Sequence, residues 1–291
     1  VNGAPDRTVL KGETWSFEIE PFSLPITAIT ATASSSHNEA MGPEKTIDGS
    51  GLDDQDLHSN EPTHMWLSGM GDPTPTIQFD FDTSYKLHEL WVWNSNQSVE
   101  NFVGLGAKDV IIEISTDGAS WTQLENVPAF AQAPGKNGYA HNTVVDLGGV
   151  TAQHVKLTVT AGYGMIPQYG LSELRFFSIP TQAREPQPED GTSDVAVNSV
   201  LKWRPGREAA SHQVSIGTDP DAVAQGTGAV DTLDASYDPG ALDLASTYYW
   251  QVVEVNEAET PPTHTSGIWS FSTQEFIVVD DFEGYNDNCD R

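Results

Sequence analysis

The chain has one cysteine, Cys289, among its 291 residues. Intramolecular disulfides and cysteine-based zinc sites are therefore excluded. The sequence also has no run of about 18 apolar residues, so it predicts no membrane-spanning helix. Val1 begins a polar stretch instead of the apolar core of a signal peptide. This start predicts either a leader that has been removed or an excised N-terminus.

Basic residues are scarce: 13 Lys and Arg stand against 42 Asp and Glu, which gives a formal net charge of −29. A nucleic-acid partner is excluded, because binding phosphates requires a basic surface. Insertion into an anionic membrane is disfavoured for the same reason. An acidic chain with little Lys and much Ser, Thr, Gly and Asn favours an extracellular, secreted protein. The lack of disulfides does not oppose this, because large β-domains fold without them.

Helical periodicity is nearly absent, whereas strand alternation recurs along the chain. Residues 76–81, 110–115 and 154–159 alternate apolar and polar side chains, and turn-formers such as Asp117-Gly118 and Gly148-Gly149 lie between such segments. Short strands with this spacing predict an all-β protein built from β-sandwiches. The length suggests about two domains.

The predicted domain boundaries follow the composition. Residues 1–25 read as an N-terminal strand segment or the end of a preceding module, and residues 26–180 as a first sandwich. A proline-rich, charged stretch, 183–191, reads as a stiff linker near the junction. Residues 181–274 then form a second sandwich, and residues 275–291 begin a following module or a tail.

Motifs for catalysis are missing from the sequence. It has no Gly-x-Ser-x-Gly elbow, no phosphate-binding Gly-x4-Gly-Lys-Ser/Thr loop and no His-Glu-x-x-His, and its eight histidines are dispersed. The many carboxylates leave a glycosidase pair open by counting, but two small sandwiches rarely form a deep cleft. We therefore expect no enzyme in this chain, although it could be an accessory part of a larger one.

The first predicted sandwich carries an ordered series of motifs. These are Thr30–Ser35, Gly42–Gly49, Met65–Ser68, Ile77–Phe81, Ile112–Trp121 and Gly170–Phe176. In this order they resemble the discoidin, or coagulation-factor type C, superfamily, including family 32 carbohydrate-binding modules, over about residues 27–178. The resemblance implies an eight-stranded jelly-roll β-sandwich that binds ligands with loops at one end and holds a structural calcium.

The second predicted sandwich resembles immunoglobulin and fibronectin type III modules over residues 185–274. Val200–Trp203 places a core Trp where strand B would run, and Leu244–Val252 resembles a strand F with a tyrosine corner. Gly267–Thr273 would be strand G. The resemblance implies a spacer, because this fold carries no function of its own.

A calcium site is predicted around Asp48, because a hard cation prefers 6–8 oxygen ligands and Asp48-Gly49 offers a carboxylate in a tight turn. By the resemblance, the Lys45 carbonyl, Ser50, Thr63, Ser172 and Glu173 complete it. Thr63 follows an insertion, residues 51–62, in which Asp53, Asp54 or Asp56 are alternative ligands. The alternative interpretation is that Asp48 only caps a turn and Glu173 is solvated.

A saccharide site needs aromatic faces and planar polar groups in a shallow cleft. By loop position, the predicted ligand-binding residues are Asn94, Asn96, Glu100, Asn101, Tyr163, Met165 and Tyr169. Trp66, Trp91 and Trp121 are predicted to lie in the core, and alternation places Trp93 on the same face as Trp91. Residues 94–96 lack the Arg that galactose-binding relatives often present, so the identity of the sugar stays open.

These observations favour a calcium-stabilised carbohydrate-binding module with a fibronectin-like spacer, from a larger secreted polysaccharide-handling protein. The expected partners are a glycan or polysaccharide and neighbouring domains of a longer chain, without nucleic acid or membrane insertion. The alternative is an extracellular adhesion or surface-assembly protein whose discoidin-like domain binds protein.

Overall fold

The computed structural model describes Trp15 and residues 19–277. Cys289 lies outside these residues, as do most of the N-terminal segment predicted at residues 1–25 and most of the following module or tail predicted at residues 275–291. Strands dominate the described chain, which confirms the all-β prediction. Within the described ranges, no helix is long and apolar enough to cross a membrane.

The first sandwich contains eight strands and three 3-10 turns, with one short helix. The strands are β1 Leu24–Pro25, β2 Ile29–Ala33, β3 Trp66–Leu67, β4 Thr76–Asn94, β5 Ala107–Ser115, β6 Thr122–Gln123, β7 Thr143–Gly162 and β8 Gly170–Ser178. The 3-10 turns are Glu39–Met41, Pro43–Thr46 and Pro62–His64, and the helix is α1, Glu100–Val103.

Two long strands, β4 and β7, form both layers of this sandwich. The first half of β4 pairs with β2 and its second half with β8, while β7 pairs with β4 along both halves. The register shifts between Asp80 and Tyr85, where β4 passes from one layer to the other. Each half turns its alternate apolar residues inward, and Ile77, Phe79 and Val92 are fully buried.

The second sandwich is built from nine strands and one short helix. The strands are β9 Arg184–Gln187, β10 Thr192–Val195, β11 Leu201–Arg204, β12 Ser211–Gly217, β13 Val230–Thr232, β14 Ser236–Tyr237, β15 Thr247–Val255, β16 Thr263–Thr265 and β17 Trp269–Thr273, and the helix is α2, Pro220–Ala224. A three-stranded sheet, β14-β11-β9, and a six-stranded sheet share one core. Trp203 and Trp250, one from each sheet, pack there with ring centroids 6.3 Å apart.

The tyrosine corner predicted for the second sandwich is present. Tyr248, near the start of β15, accepts a hydrogen bond on its hydroxyl from the backbone nitrogen of Asp243, five residues upstream, at 3.1 Å. This bond fixes the turn that leads into β15.

The stretch 183–191 does not form the stiff linker that its proline content predicted, because it is part of the second sandwich. Ala183 is buried in the second core, and β9 pairs with β11 through Lys202–Gln187 and Arg204–Arg184. β9 is an edge strand, and one of its sides has no partner strand. Pro186, which has no N–H to donate, is therefore tolerated there. The chain therefore crosses between the two cores in the few residues before Ala183.

Candidate functional site

Two loops leave the first sandwich at the same end. β4 ends at Asn94 beside the start of β8, and β7 ends at Gly162 beside the start of β5. The loops that follow β4 and β7 therefore meet, and we call residues 99–104 and 163–166 the loop tip. It contains residues predicted by loop position to bind a ligand, among them Asn101, Tyr163 and Met165.

Glycine brings the two halves of the loop tip into backbone contact. The Gly164 nitrogen donates to the Gly104 carbonyl at 2.9 Å, and Gly104 adopts a positive φ of 68°. A Cβ on Gly164 would lie 1.8 Å from the Val103 carbonyl oxygen. No larger residue fits at position 164 without separating the two loops.

A buried carboxylate organises the loop after β4. Glu100 is fully buried, and its side chain accepts hydrogen bonds from the backbone nitrogens of Leu105 at 3.0 Å and Gly106 at 3.1 Å, and from Gln132 Nε2 at 3.1 Å. Burial raises the pKa of Glu100, although these donors act against the shift. The carboxylate therefore braces the loop from inside.

Two buried amides complete the brace. Asn94 Nδ2 donates to the carbonyls of Ala107 at 2.7 Å and Ala131 at 2.9 Å. Asn96 Nδ2 donates to the carbonyls of Ser59 at 2.9 Å and Lys136 at 2.6 Å. Irregular loops leave backbone groups without sheet partners, and these side chains supply those partners.

Four predicted ligand-binding residues are therefore corrected. Asn94, Asn96 and Glu100 are fully buried, and Tyr169 is buried in the core, where its ring packs against Gly162. A saccharide on the surface cannot touch them. Loop position identified the right segments, but the need to satisfy buried backbone groups turned these side chains inward.

The exposed residues of the loop tip include the remaining three predicted ones. Asn101 is exposed and its Nδ2 donates to the Pro134 carbonyl at 2.8 Å. The Tyr163 hydroxyl donates to the Phe130 carbonyl at 2.6 Å while its ring stays partly exposed, and Met165 is fully exposed.

Sequence reasoning missed Phe102, whose side chain is 91% exposed on α1. No signal in the sequence identified it, because the inference needs α1 and the buried Glu100, which only the structure supplies. Two residues along a helix differ by about 200° in direction. A buried Glu100 therefore implies an outward Phe102. An exposed aromatic ring beside the Asn101 amide gives the loop tip the two kinds of group that a sugar ring contacts.

The insertion, residues 51–62, covers Trp93. The indole Nε1 of Trp93 donates to the Asp56 carbonyl at 3.1 Å, and Arg175 lies over the ring at 5.3 Å. The Arg175 guanidinium forms two 2.8 Å hydrogen bonds to the Asp56 carboxylate, and these hold the pKa of Asp56 below its usual value. Trp93 is consequently buried on the outer side of the sheet, away from the core.

Of the three tryptophans predicted to lie in the core, only Trp66 does. Trp91 is partly buried on the outer face, where it stacks on His141 with ring centroids 4.2 Å apart. Trp121 is also partly buried, with the Lys156 ammonium 4.3 Å from its ring centroid. Both rings are covered by side chains of the outer face, which strand alternation alone did not reveal.

Asp48 and Glu173 come together, as the calcium prediction requires. Glu173 is 5% exposed, and its carboxylate accepts a hydrogen bond from the Gly49 nitrogen at 3.3 Å. Both residues line a cleft of about 250 Å³. Burial raises the pKa of Glu173 to about 8, and the neighbouring Asp48 adds to the shift.

Asp48 itself has a cation beside it. Lys45 Nζ lies 2.7 Å from Asp48 Oδ2, and the Ser50 nitrogen donates to Oδ1 at 2.9 Å. Burial would raise the pKa of Asp48, but these hydrogen bonds outweigh it and hold the pKa below its usual value. Lys45 and Ser50 therefore both contact the Asp48 carboxylate.

The side chains of the other predicted metal ligands make their hydrogen bonds elsewhere. The Ser172 hydroxyl donates to the Asn94 carbonyl at 2.7 Å, which holds this side chain against the end of β4. Thr63 is exposed and donates to Glu61, and no hydrogen bond of the described residues joins it to Asp48 or Glu173. Among the insertion alternatives, Asp53 accepts from Gln55 and Leu57 nitrogens in its own turn, and Asp56 holds Arg175.

The donors present are all oxygens, as a hard cation prefers. Glu173 is a buried carboxylate with few hydrogen-bond donors, so the residues fit a calcium ion at Asp48 and Glu173. No group of three or more His, Cys, Asp and Glu side chains suited to a metal occurs in the part of the chain that the structure describes. A metal here would therefore take most of its shell from backbone oxygens.

Residues 30–170 match the F5/8 type C domain family. The match spans Asp48 and both halves of the loop tip, and it ends just before Glu173. It supports the discoidin-like resemblance for the first sandwich. No curated protein matches this chain.

Solved structures similar to the chain include three binding modules. CpGH89CBM32-5 from Clostridium perfringens, in complex with GalNAc-β-1,3-galactose, is 18% identical, with 54% of this chain and 99% of that chain covered and a TM-score of 0.39. The family 32 module of C. perfringens NanJ, in complex with galactose, is 14% identical, with coverages of 54% and 98% and a TM-score of 0.38. Chitosan-binding module 1 of a chitosanase/glucanase from Paenibacillus sp. IK-5 is 20% identical, with coverages of 51% and 94% and a TM-score of 0.36.

The glycine contact at the loop tip generates a prediction. Gly164→Ala should lower the melting temperature and displace Phe102, because its Cβ would overlap the Val103 carbonyl. Gly71→Ala is the matched control, since nothing lies within 4 Å of its Cβ. Thermal melts and amide chemical shifts of residues 99–104 measure the effect. Equal behaviour of the two variants would contradict the close approach.

Proposed function

We propose that this chain is a non-catalytic glycan-binding protein whose F5/8 type C domain binds a saccharide at the loop tip. The observation that carries the proposal is Phe102, exposed beside Asn101 on a loop that Glu100 holds from inside. Because the loop backbone is already held in place, a sugar that binds the exposed ring does not have to order the loop.

The contacts expected with a sugar follow from the exposed groups. The apolar C–H face of a pyranose packs on Phe102, and the Asn101 amide bonds to a ring hydroxyl. Tyr163 and Met165 border the sugar from the second loop.

Phe102→Ala should weaken glycan binding about tenfold or more, since burying a Phe side chain contributes about 1.5–3 kcal/mol and about 1.4 kcal/mol is a factor of ten. Phe276→Ala is the matched control, because Phe276 is 70% exposed in the segment after β17, outside the loop tip. A glycan array with the whole chain finds the ligand, and calorimetry compares the variants. Equal loss in both variants, or no change in either, would contradict the assignment.

We also propose a structural calcium ion at Asp48 and Glu173. Lys45, Ser50 and Ser172 would add backbone oxygens, and Thr63 would join only if the 62–64 turn moved. When bound, the ion supplies positive charge that compensates the buried Glu173 carboxylate. The site joins two segments that lie more than 120 residues apart.

Chelation should lower the melting temperature of the first sandwich by about 5–10 °C, because calcium at a hundred times Kd stabilises the fold by about 2.7 kcal/mol. Glu173→Gln should abolish the calcium response. In chelator it should melt no lower than the parent, because burial raises the pKa of Glu173 to about 8, so the metal-free carboxyl is largely neutral near pH 7 and the neutral Gln amide replaces it. Glu125→Gln, at an exposed carboxylate of the same sandwich, should respond to calcium as the parent does. A parent melt unaffected by chelator would refute the metal site.

The second sandwich is proposed as a fibronectin type III-like spacer, and the chain as part of a larger secreted polysaccharide-handling protein. The two-sheet topology and the tyrosine corner of the second sandwich support the first statement. The acidic, lysine-poor composition supports secretion.

An extracellular adhesion or surface-assembly function is the second candidate. Its specific support is the apolar character of the loop tip, where Val99 and Ile166 are also partly exposed around Met165. A protein partner buries such a surface more fully than a sugar does. If no glycan is bound in a Phe102-dependent manner, this candidate replaces the first.

A further inference from the structure

Cations are concentrated at the junction of the two sandwiches. The chain has only 13 Lys and Arg residues. Four of them, Lys86, Arg184, Arg204 and Arg207, form ion pairs there. Because the chain has so few basic residues, four of them at the junction give it an unusual concentration of ion pairs between basic and acidic side chains.

One carboxylate from outside both cores is bound by three arginines. Glu20 lies 2.8 Å from Arg184 Nη2 and 3.1 Å from Arg204 Nε, and Arg207 Nη2 also donates to it. The hydrogen bond from Arg184 is the main cause that holds the pKa of Glu20 below its usual value. All three arginines belong to β9, β11 or the loop after β11, so Glu20 is bound to the second sandwich.

The residues after Glu20 are bound to both sandwiches in turn. Arg207 Nη2 donates to the Pro21 carbonyl at 2.7 Å. Phe22 packs edge-on against His88 of β4 at 5.1 Å, and Ser23 hydrogen-bonds to His88 Nδ1 at 2.8 Å. Leu24 and Pro25, which form β1, then pair with β8 of the first sandwich.

A second ion-pair group crosses the junction directly. Lys86, on β4 of the first sandwich, donates to Glu259 at 2.6 Å and to Glu208, both in the second sandwich. Close to it, the Arg207 nitrogen donates to the Pro180 carbonyl at 2.8 Å. A Cβ on Gly206 would lie 2.2 Å from the Thr181 carbonyl oxygen, so the backbones touch here.

We propose that residues 20–25 form a strap that locks the second sandwich in one orientation relative to the first. Glu20, at one end of the strap, is bound to the second sandwich, and β1, at the other end, is paired with the first. Lys86 adds direct ion pairs between the two sandwiches beside the strap. A single exposed ion pair contributes about 0–1 kcal/mol, but a network around one carboxylate restricts several side chains at once. The pair of sandwiches then behaves as a rigid arm, independently of any ligand.

The test measures the distance between the two sandwiches in the whole chain. Spin labels are attached at Ala119→Cys and Ala224→Cys, two exposed positions, in a Cys289→Ser background. Pulsed electron–electron double resonance on the parent chain should give one narrow peak in the distribution of distances between the two labels. Glu20→Gln combined with Lys86→Gln should lose that peak and give a broad distribution.

The matched control is Glu113→Gln with Lys156→Gln, which removes an ion pair of 2.9 Å within the first sandwich. It should keep the narrow peak. Arg207→Gln, a second strap variant, should broaden the distribution if the double variant does not fold. A broad peak in the parent, or a narrow one in both strap variants, would overturn the proposal.

Discussion

Glu100 places a carboxylate in the interior of the loop after β4, and the outward direction of Phe102 depends on it. A buried charge is costly unless hydrogen bonds compensate it, and Glu100 obtains these from Leu105, Gly106 and Gln132. The same bonds close the loop behind α1 and bring Gly104 to the position where Gly164 meets it. The surface of the loop tip is therefore fixed from inside, by groups that no ligand touches.

The fold was predictable where one face of a strand is buried, because the alternation of apolar and polar residues then shows which side chains face the core. Residues 76–81 and 154–159 form strands, as predicted, and they pair with each other with their apolar residues in the core. The 183–191 stretch was mispredicted, because two prolines indicate a linker and an edge strand equally well. Only the pairing with Lys202 and Arg204 separates the two.

The sequence predicted which loops form the candidate site, but it did not predict which of their side chains are exposed. Asn94, Asn96 and Glu100 are polar and lie in loops, and both features favour exposure in a sequence. Their direction depends on which carbonyls and amides the folded loops leave unpaired, and that is a property of the tertiary structure. Asp48 and Glu173 lie close together, as expected. Thr63 does not join them, because it follows the insertion, residues 51–62, that covers Trp93.

The course of β8 has a mechanical consequence. This strand begins at Gly170 beside the loop tip and ends at Ser178, and the chain reaches the second sandwich a few residues later. Tension between a ligand held at the tip and an anchor beyond the second sandwich would run along β8. Its hydrogen bonds to β4 lie across that direction, so they would bear the load together in shear and would not open one by one.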